Sequence, residues 1–353
     1  MRGLIICSEK EEGLRSLTQG RSLATLPLAN GSLLDYQLSF FAKAGIRELV
    51  VVAPKGKGRE LEEILGRWGG LKYSLVNPQE TSVFAQGELL LDSTLIVLMG
   101  PLITAIDLCQ ALSFHQERES GATLFLHSVS RERHRYLIFT DGLGRVIKVL
   151  PGAPVAGEMA QAAGSLYILE PTAARQLIPR LMTGREEGVC PGLLKMAIPV
   201  YGFPVVGYWQ EVRNPTAYFR VHRDILSGRA GLKPAGVEES PGIWLGQGVE
   251  VRAGVELVPP VVLGAGVQLG AGVRVQGSVL GPGTQVDGET VVEDSLLLAN
   301  CYLGRGVVVQ GAIVGEDTIV AGGSILRPGM LLAPQSVVSR DSLLGRAFEF
   351  PLL

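Results

Sequence analysis

Between residues 243 and 338 the chain repeats at six. In "WLGQGVEVRAGVELVPPVVLGAGVQLGAGVRVQGSVL", Leu245, Val251, Leu257, Leu263, Leu269 and Val275 share one register. Val249, Val255, Val261, Val267 and Val273 share a second. Neither a helix nor an ordinary sandwich strand has that period. Aliphatics every six residues, spaced by glycine, predict a parallel β-helix with three flat faces per coil and one inward aliphatic on each. Glycine allows the tight corners. At about 18 residues per coil the stretch holds roughly five coils. Five-residue steps, as from Val275 to Leu280, interrupt the phase. A solenoid needs its ends covered, so the apolar tail "LLGRAFEFPLL" is expected to cap it, with contact to a partner chain as the alternative.

β-Helices of this kind often serve acyl transfer, with a histidine of the coils as general base. The four histidines here, His115, His127, His134 and His222, all precede the repeat. The repeat therefore reads as a rigid solenoid for self-association.

The first two thirds differ in kind. Apolar strand-like runs (Leu4–Cys7, Leu49–Ala53, "LKYSLVN", "STLIVLMG", "ATLFLHSV", "GSLYILEP") alternate with helical patterns. The helices are expected over "DYQLSFFAKAGI", "PLITAIDLCQALSFHQERESG", "TAARQLIPRLM" with Thr172 as N-cap, and "NPTAYFRVHRDILSG" with Asn214 as N-cap and Pro215 at N1. "RYLIFTDGLGRVIKVL" reads as a hairpin. Such alternation predicts a Rossmann-like α/β domain, mostly parallel, with helices on both faces. Ligands then bind beyond the carboxyl ends of the strands, after Cys7, Gly100 and Val212. The expected organisation is an α/β domain over 1–228, a linker over 229–242, the β-helix over 243–340 and a tail over 341–353.

With 353 residues and a net charge of -2, the chain has room for two cores and lacks the basic excess that nucleic acid requires. No apolar run approaches the ~18 residues of a membrane span, and the N-terminus does not read as a signal peptide. The four cysteines lie far apart, in no disulfide or zinc pattern. The expectation is a cytoplasmic protein with reduced thiols.

"LPLANGSLLDYQLSFFAKAGIRELVVV", "LIVLMGPL", "GYWQEVRNPTAYFRVHRDIL" and the hexads together resemble the sugar-1-phosphate nucleotidyltransferases, the NDP-sugar pyrophosphorylases. The mannose-1-phosphate guanylyltransferase type, with its C-terminal left-handed β-helix, is the nearest in pattern. In that family a sugar phosphate attacks the α-phosphorus of a nucleoside triphosphate, with Mg²⁺ bridging the anions.

Laid on this chain, the resemblance implies a dismantled site. The glycine pair of the phosphate loop falls on Ser8 and Glu9, within the acidic stretch "SEKEEG". The catalytic arginine falls on Gly13, and the phosphate lysine on Leu23. Of the base-contacting segment only Gly87 remains. The Mg²⁺ aspartate after Gly100 is Pro101, which offers no side-chain ligand atom. The Glu-Lys pair that grips the sugar phosphate falls near Pro151 and Gly152, and the Asn-Ala-Gly beside it reads Ala163, Gly164, Ser165. The second metal ligand falls on Glu211, more simply read as an ion-paired residue entering a helix.

The expected cleft is therefore a degenerate one around Ser8, Gly13, Gly87, Gly100 and Gly164, with no catalytic residue and no cofactor. The preferred reading is a catalytically silent member that acts as a regulatory or scaffold subunit. It would form homo-oligomers, or join an active relative, through the β-helix. Two alternatives stand beside it. One is an active nucleotidyltransferase that uses Arg15, Lys10 and Glu211 with Mg²⁺. The other is a sensor holding a sugar or sugar nucleotide. "PKGKGRE" (Lys55, Lys57, Arg59) is a weaker anion-site candidate, and "RERHR" (131–135) reads as a solvated turn.

Overall fold

The structure is a computed structural model that describes residues 1–7, 12–76, 92–129, 134–152, 160–182, 189–339, 343–344 and 347–351. The chain divides into two compact units: Met1–Glu9 with Gln37–Trp209, and Lys10–Tyr36 with Gln210–Leu353. Each unit thus groups segments that lie far apart in the chain.

The first unit is built on a nine-stranded sheet. Its centre is parallel, in the order Leu95–Met99, Arg2–Ile6, Glu48–Val52, Lys72–Val76. All of Leu95–Met99 is buried, as its uniformly apolar sequence requires of a strand covered on both faces. The parallel order ends there. Ala160–Leu169 runs antiparallel to Leu95–Met99, to Ala122–Val129 and to His134–Thr140. The expected hairpin forms the sheet edge, with His134–Thr140 antiparallel to Val146–Gly152. Asp141 closes its turn by accepting from the Leu143 and Arg145 amides, both at 2.9 Å.

Two helix starts differ from expectation. Residues Leu102–Thr104 form a short strand, and the helix spans Leu108–Glu117. Its start is set by Asp107, whose side chain accepts from the Gln110 amide at 3.2 Å. The next helix begins at Pro171, so Thr172 lies inside its first turn and is not the cap. Proline suits that first position because it has no amide to satisfy.

The second unit contains the β-helix, as three sheets of eight, seven and five strands. Leu257 pairs with Val275, 18 residues on, and Val275 with Val292, 17 on. The five-residue steps are thus corners shortened by one residue. Serine fills the gap there. Ser278 Oγ accepts from the Ser295 amide at 3.0 Å, and Ser295 Oγ accepts from the Ala312 amide at 3.2 Å. The predicted inward registers line the core. Val251 shares the register but is 49% exposed, because it belongs to the first coil. The tail caps the other end. Leu343–Leu344 and Ala347–Glu349 run antiparallel to Val337–Val338 and Met330–Leu332.

One face of the β-helix is apolar on its outside as well. Leu263, Leu280, Leu297, Val314 and Leu332 point into the core, so alternation turns Val262, Val279, Leu296, Ile313 and Leu331 outward. Yet none of these five is more than 3% exposed. Residues 19–30 reach this side. Asn30 Nδ2 donates to the Leu280 carbonyl at 3.2 Å, Gln19 Nε2 to the Pro334 carbonyl at 3.0 Å, and Arg21 pairs with Glu316 at 2.6 Å.

The helix Pro215–Leu226, capped by Asn214 as expected, packs in the same unit. Tyr218 donates to the Pro27 carbonyl, and Phe219 lies 5.4 Å from Phe350 between ring centres. The segment expected as a linker is built in too. Val237–Ser240 pairs antiparallel with Ile243–Leu245, and the Ala235 amide donates to the Ala29 carbonyl at 3.0 Å. These contacts are the physical reason the units depart from chain order.

Candidate functional site

At the carboxyl edge of the parallel strands, Ile6, Val52 and Met99 end in register. The Gly100 amide donates to the Ile6 carbonyl at 2.9 Å, and the Cys7 amide to the Val52 carbonyl at 3.1 Å. Gly100 has φ 63°, a conformation glycine adopts freely. Pro101 is buried behind it. Gln37, from the helix Leu33–Lys43, donates to the carbonyls of Gly100 at 2.8 Å and Leu102 at 3.2 Å. The turn where the resemblance would put a metal aspartate is therefore a proline corner pinned by an amide. Burial pushes the Cys7 thiol up to about 12, which leaves it neutral and unsuited to nucleophilic work.

Gly164 lies under a ring. A Cβ on it would come within 2.1 Å of Trp209 Cζ2. Trp209 stacks on Phe125 and His127, at 6.4 and 5.8 Å between ring centres. Pairing of Ala160–Leu169 with Ala122–Val129 shifts register between Ala163 and Tyr167, across this glycine. Gly164→Ala is expected to cost about 1–3 kcal/mol by overpacking, read as a lower melting temperature and altered tryptophan emission. An unchanged melt and spectrum would remove that packing role. Pro151 and Gly152 are exposed on the edge strand Val146–Gly152.

The remaining positions lie in the other unit. Arg213 Nε donates to Glu211 Oε2 at 2.6 Å, so the carboxylate nominated as a metal ligand holds a guanidinium. Gly13 sits against the turn that follows. A Cβ on it would lie 2.9 Å from the Arg213 carbonyl oxygen and 3.4 Å from Asn214 Cα. At the position matched to the catalytic arginine, the fold thus has no room even for a methyl group without adjustment. Leu23, matched to the phosphate lysine, is 7% exposed in a short 3-10 turn, where Ser22 accepts from the Ala24 amide at 3.3 Å. Ser8 and Gly87 lie outside the described residues, as do Glu9–Glu11 and residues 131–133 of the basic stretch. Lys57 pairs with Glu60 at 3.6 Å where the helix Gly58–Leu65 begins. Among the described residues no three His, Cys, Asp or Glu side chains gather as a metal site would need.

Gln37 and Trp209 were not singled out from the sequence. Gln37 had a signal: it falls on the inward stripe of Leu34, Leu38 and Phe41, where a polar residue needs buried partners.

Residues 5–228 match the nucleotidyl transferase family, and residues 240–345 match the GMPPB C-terminal domain. The chain belongs to the nucleotidyl transferase family, and its relatives place it among the sugar-1-phosphate nucleotidyltransferases. It is 27% identical over 321 residues to the mannose-1-phosphate guanylyltransferase of Mycobacterium tuberculosis, covering 84% of this chain and 81% of that protein. It is 25% identical over 228 residues to a UTP–glucose-1-phosphate uridylyltransferase of Synechocystis, covering 62% and 56%. It is 24% identical over 238 residues to a mannose-1-phosphate guanyltransferase of Yarrowia lipolytica, covering 65% and 63%. The chain thus spans most of the first relative and under two thirds of the other two. No helix among the described residues is long and apolar enough to cross a membrane.

Proposed function

We propose that this chain is a catalytically silent nucleotidyl transferase, a regulatory or scaffold subunit of sugar-nucleotide metabolism that assembles through its β-helix. What supports the reading is the packing at the positions where the resemblance would put catalytic groups. Pro101 and Leu23 are buried apolar groups, and Gly13 is held against backbone. Restoring a lysine, an aspartate or an arginine there would require burying a charge or displacing a turn. Four free cysteines, three of them buried, suit a reducing compartment such as the cytoplasm.

Assembly is tested by sedimentation of the purified chain, alone and mixed with an active mannose-1-phosphate guanylyltransferase. The expected result is a homo-oligomer or a mixed complex. Deleting residues 324–353, which removes the last coil and the cap, should abolish it. A strict monomer that binds no active relative would overturn the scaffold role.

A further inference from the structure

At the amino end of the strand Leu95–Met99, opposite Gly100, five polar side chains form one chain of hydrogen bonds. Thr94 Oγ1 donates to Glu170 Oε1 at 2.7 Å. His115 Nε2 lies 3.1 Å from the same oxygen, and His115 Nδ1 lies 2.8 Å from Thr123 Oγ1. Thr123 Oγ1 lies 3.1 Å from Ser120 Oγ, which donates to the Ala122 carbonyl at 2.8 Å. His115, Ser120 and Thr123 are at most 3% exposed, whereas Glu170 reaches solvent. The links join the helix Leu108–Glu117, the strand Ala122–Val129 and the residue before the helix Pro171–Met182.

We infer that this chain is a proton-operated clasp: His115 takes up and releases a proton within the folded protein, and Thr123 turns its hydroxyl in response. The count of hydrogens gives the reason. Ser120 spends its one hydrogen on a carbonyl, so Thr123 must donate to Ser120. Thr123 then has none left, so His115 Nδ1 must donate to it. The Glu170 carboxylate only accepts, so His115 Nε2 must donate as well. All five links are therefore made only when the ring carries both hydrogens. In the neutral ring the hydrogen stays on Nε2, facing Glu170. Thr123 then turns its hydroxyl to Nδ1, and its link to Ser120, across the turn from helix to strand, is lost. His222 has no such freedom, because its Nδ1 faces the Ala29 amide, a donor that cannot turn.

The surroundings leave the ring to Glu170. Burial lowers its proton affinity, Glu170 raises it, and no other charge among the described residues acts on it. On and just past its own helix, Glu117 and Glu119 are exposed, and Arg118 lies 5.7 Å over the Phe114 ring. Asp92, before Thr94, pairs with Arg2 at 2.9 Å. From the strand Val200–Pro204, Tyr201 meets Phe114 edge-on. The ring is thus neutral at neutral pH and binds its proton below about pH 6.5. The clasp does not depend on whether the cleft reacts.

The test is nitrogen NMR of the full chain, labelled at histidine and titrated from about pH 8 to about pH 5. One imidazole should pass from a neutral ring with its hydrogen on Nε2 to a doubly protonated ring while the protein stays folded. His115→Gln assigns that signal by removing it. Glu170→Gln, at a partly exposed position, removes the charge and keeps an acceptor, and should weaken proton binding about tenfold or more. Thr123→Val removes the hydroxyl and should lower the midpoint too, while Thr123→Ser should restore it. The proposal is overturned if His115 does not titrate before the chain unfolds, if its neutral ring carries the hydrogen on Nδ1, or if Glu170→Gln leaves the midpoint in place.

Discussion

A chain ended after Gly228 is expected not to fold as a complete domain, although the family match covers residues 5–228. Segment Lys10–Tyr36 and the helix Pro215–Leu226 belong to the compact unit that contains the β-helix. Without it, Asn30, Gln19 and Arg21 lose their partners at Leu280, Pro334 and Glu316. Leu14, Leu17, Leu28 and Tyr218, each at most 1% exposed in the full chain, are left to a remnant of Lys10–Tyr36 and Gln210–Gly228. Pieces of that size seldom sustain a core without staples.

The same interface matters to the β-helix. Burying five aliphatics such as Val262 and Ile313 contributes roughly 1.5–3 kcal/mol each, and whole domains rest on about 5–15 kcal/mol. Circular dichroism and limited proteolysis read the outcome. Cleavage should concentrate in residues 10–36 of the truncated chain and spare them in the full one. A truncated chain with a cooperative melt and a protected 10–36 segment would contradict the shared unit.

Acid should weaken this unit through His222. The turn at Ala29 and Asn30 has φ 42° and 64°, and the Ala29 amide donates to His222 Nδ1 at 3.4 Å. The imidazole lies edge-on to Tyr218, 4.6 Å between ring centres. Burial lowers its pKa to about 3, against a smaller opposing pull from the Pro27 backbone. Unfolded, the group titrates near 6.5. The folded state therefore binds fewer protons. The stability this provides is complete above about pH 6.5 and is lost as pH falls toward 3. The loss is about 2 kcal/mol by pH 5 and roughly 4–5 kcal/mol by pH 3. His115 is lowered too, by burial against the upward pull of Glu170, and adds to the slope. Urea unfolding between pH 7 and pH 5 should show a steeper loss for the native chain than for His222→Gln, by about 2 kcal/mol. Parallel slopes would contradict a buried neutral His222.

The β-helix was legible because only one architecture has a period of six, and the aliphatics from Leu257 to Val275 keep it without a break. Asn214-Pro215 was legible for a local reason, since cap and first-turn preferences act within one turn. The covered face was written in the sequence too, but as a contrast. Its strands are apolar at successive positions, as in "VVL" and "MLL", while the neighbouring face alternates, as in "EV", "QL" and "QV". Two apolar neighbours on one flat strand require cover on both sides. The proposal of a dismantled site rests, residue by residue, on resemblance and not on any local pattern. That Gly13 is held by Arg213 and Asn214 was not legible, because those partners lie about two hundred residues away.

The central claim is that packing has replaced chemistry in the cleft. It is tested most directly by pyrophosphate release from the purified chain, given Mg²⁺, each nucleoside triphosphate in turn and a panel of sugar 1-phosphates. The account predicts no release above that of buffer, with an active mannose-1-phosphate guanylyltransferase as the positive control. Steady turnover that disappears in Glu211→Ala would contradict it.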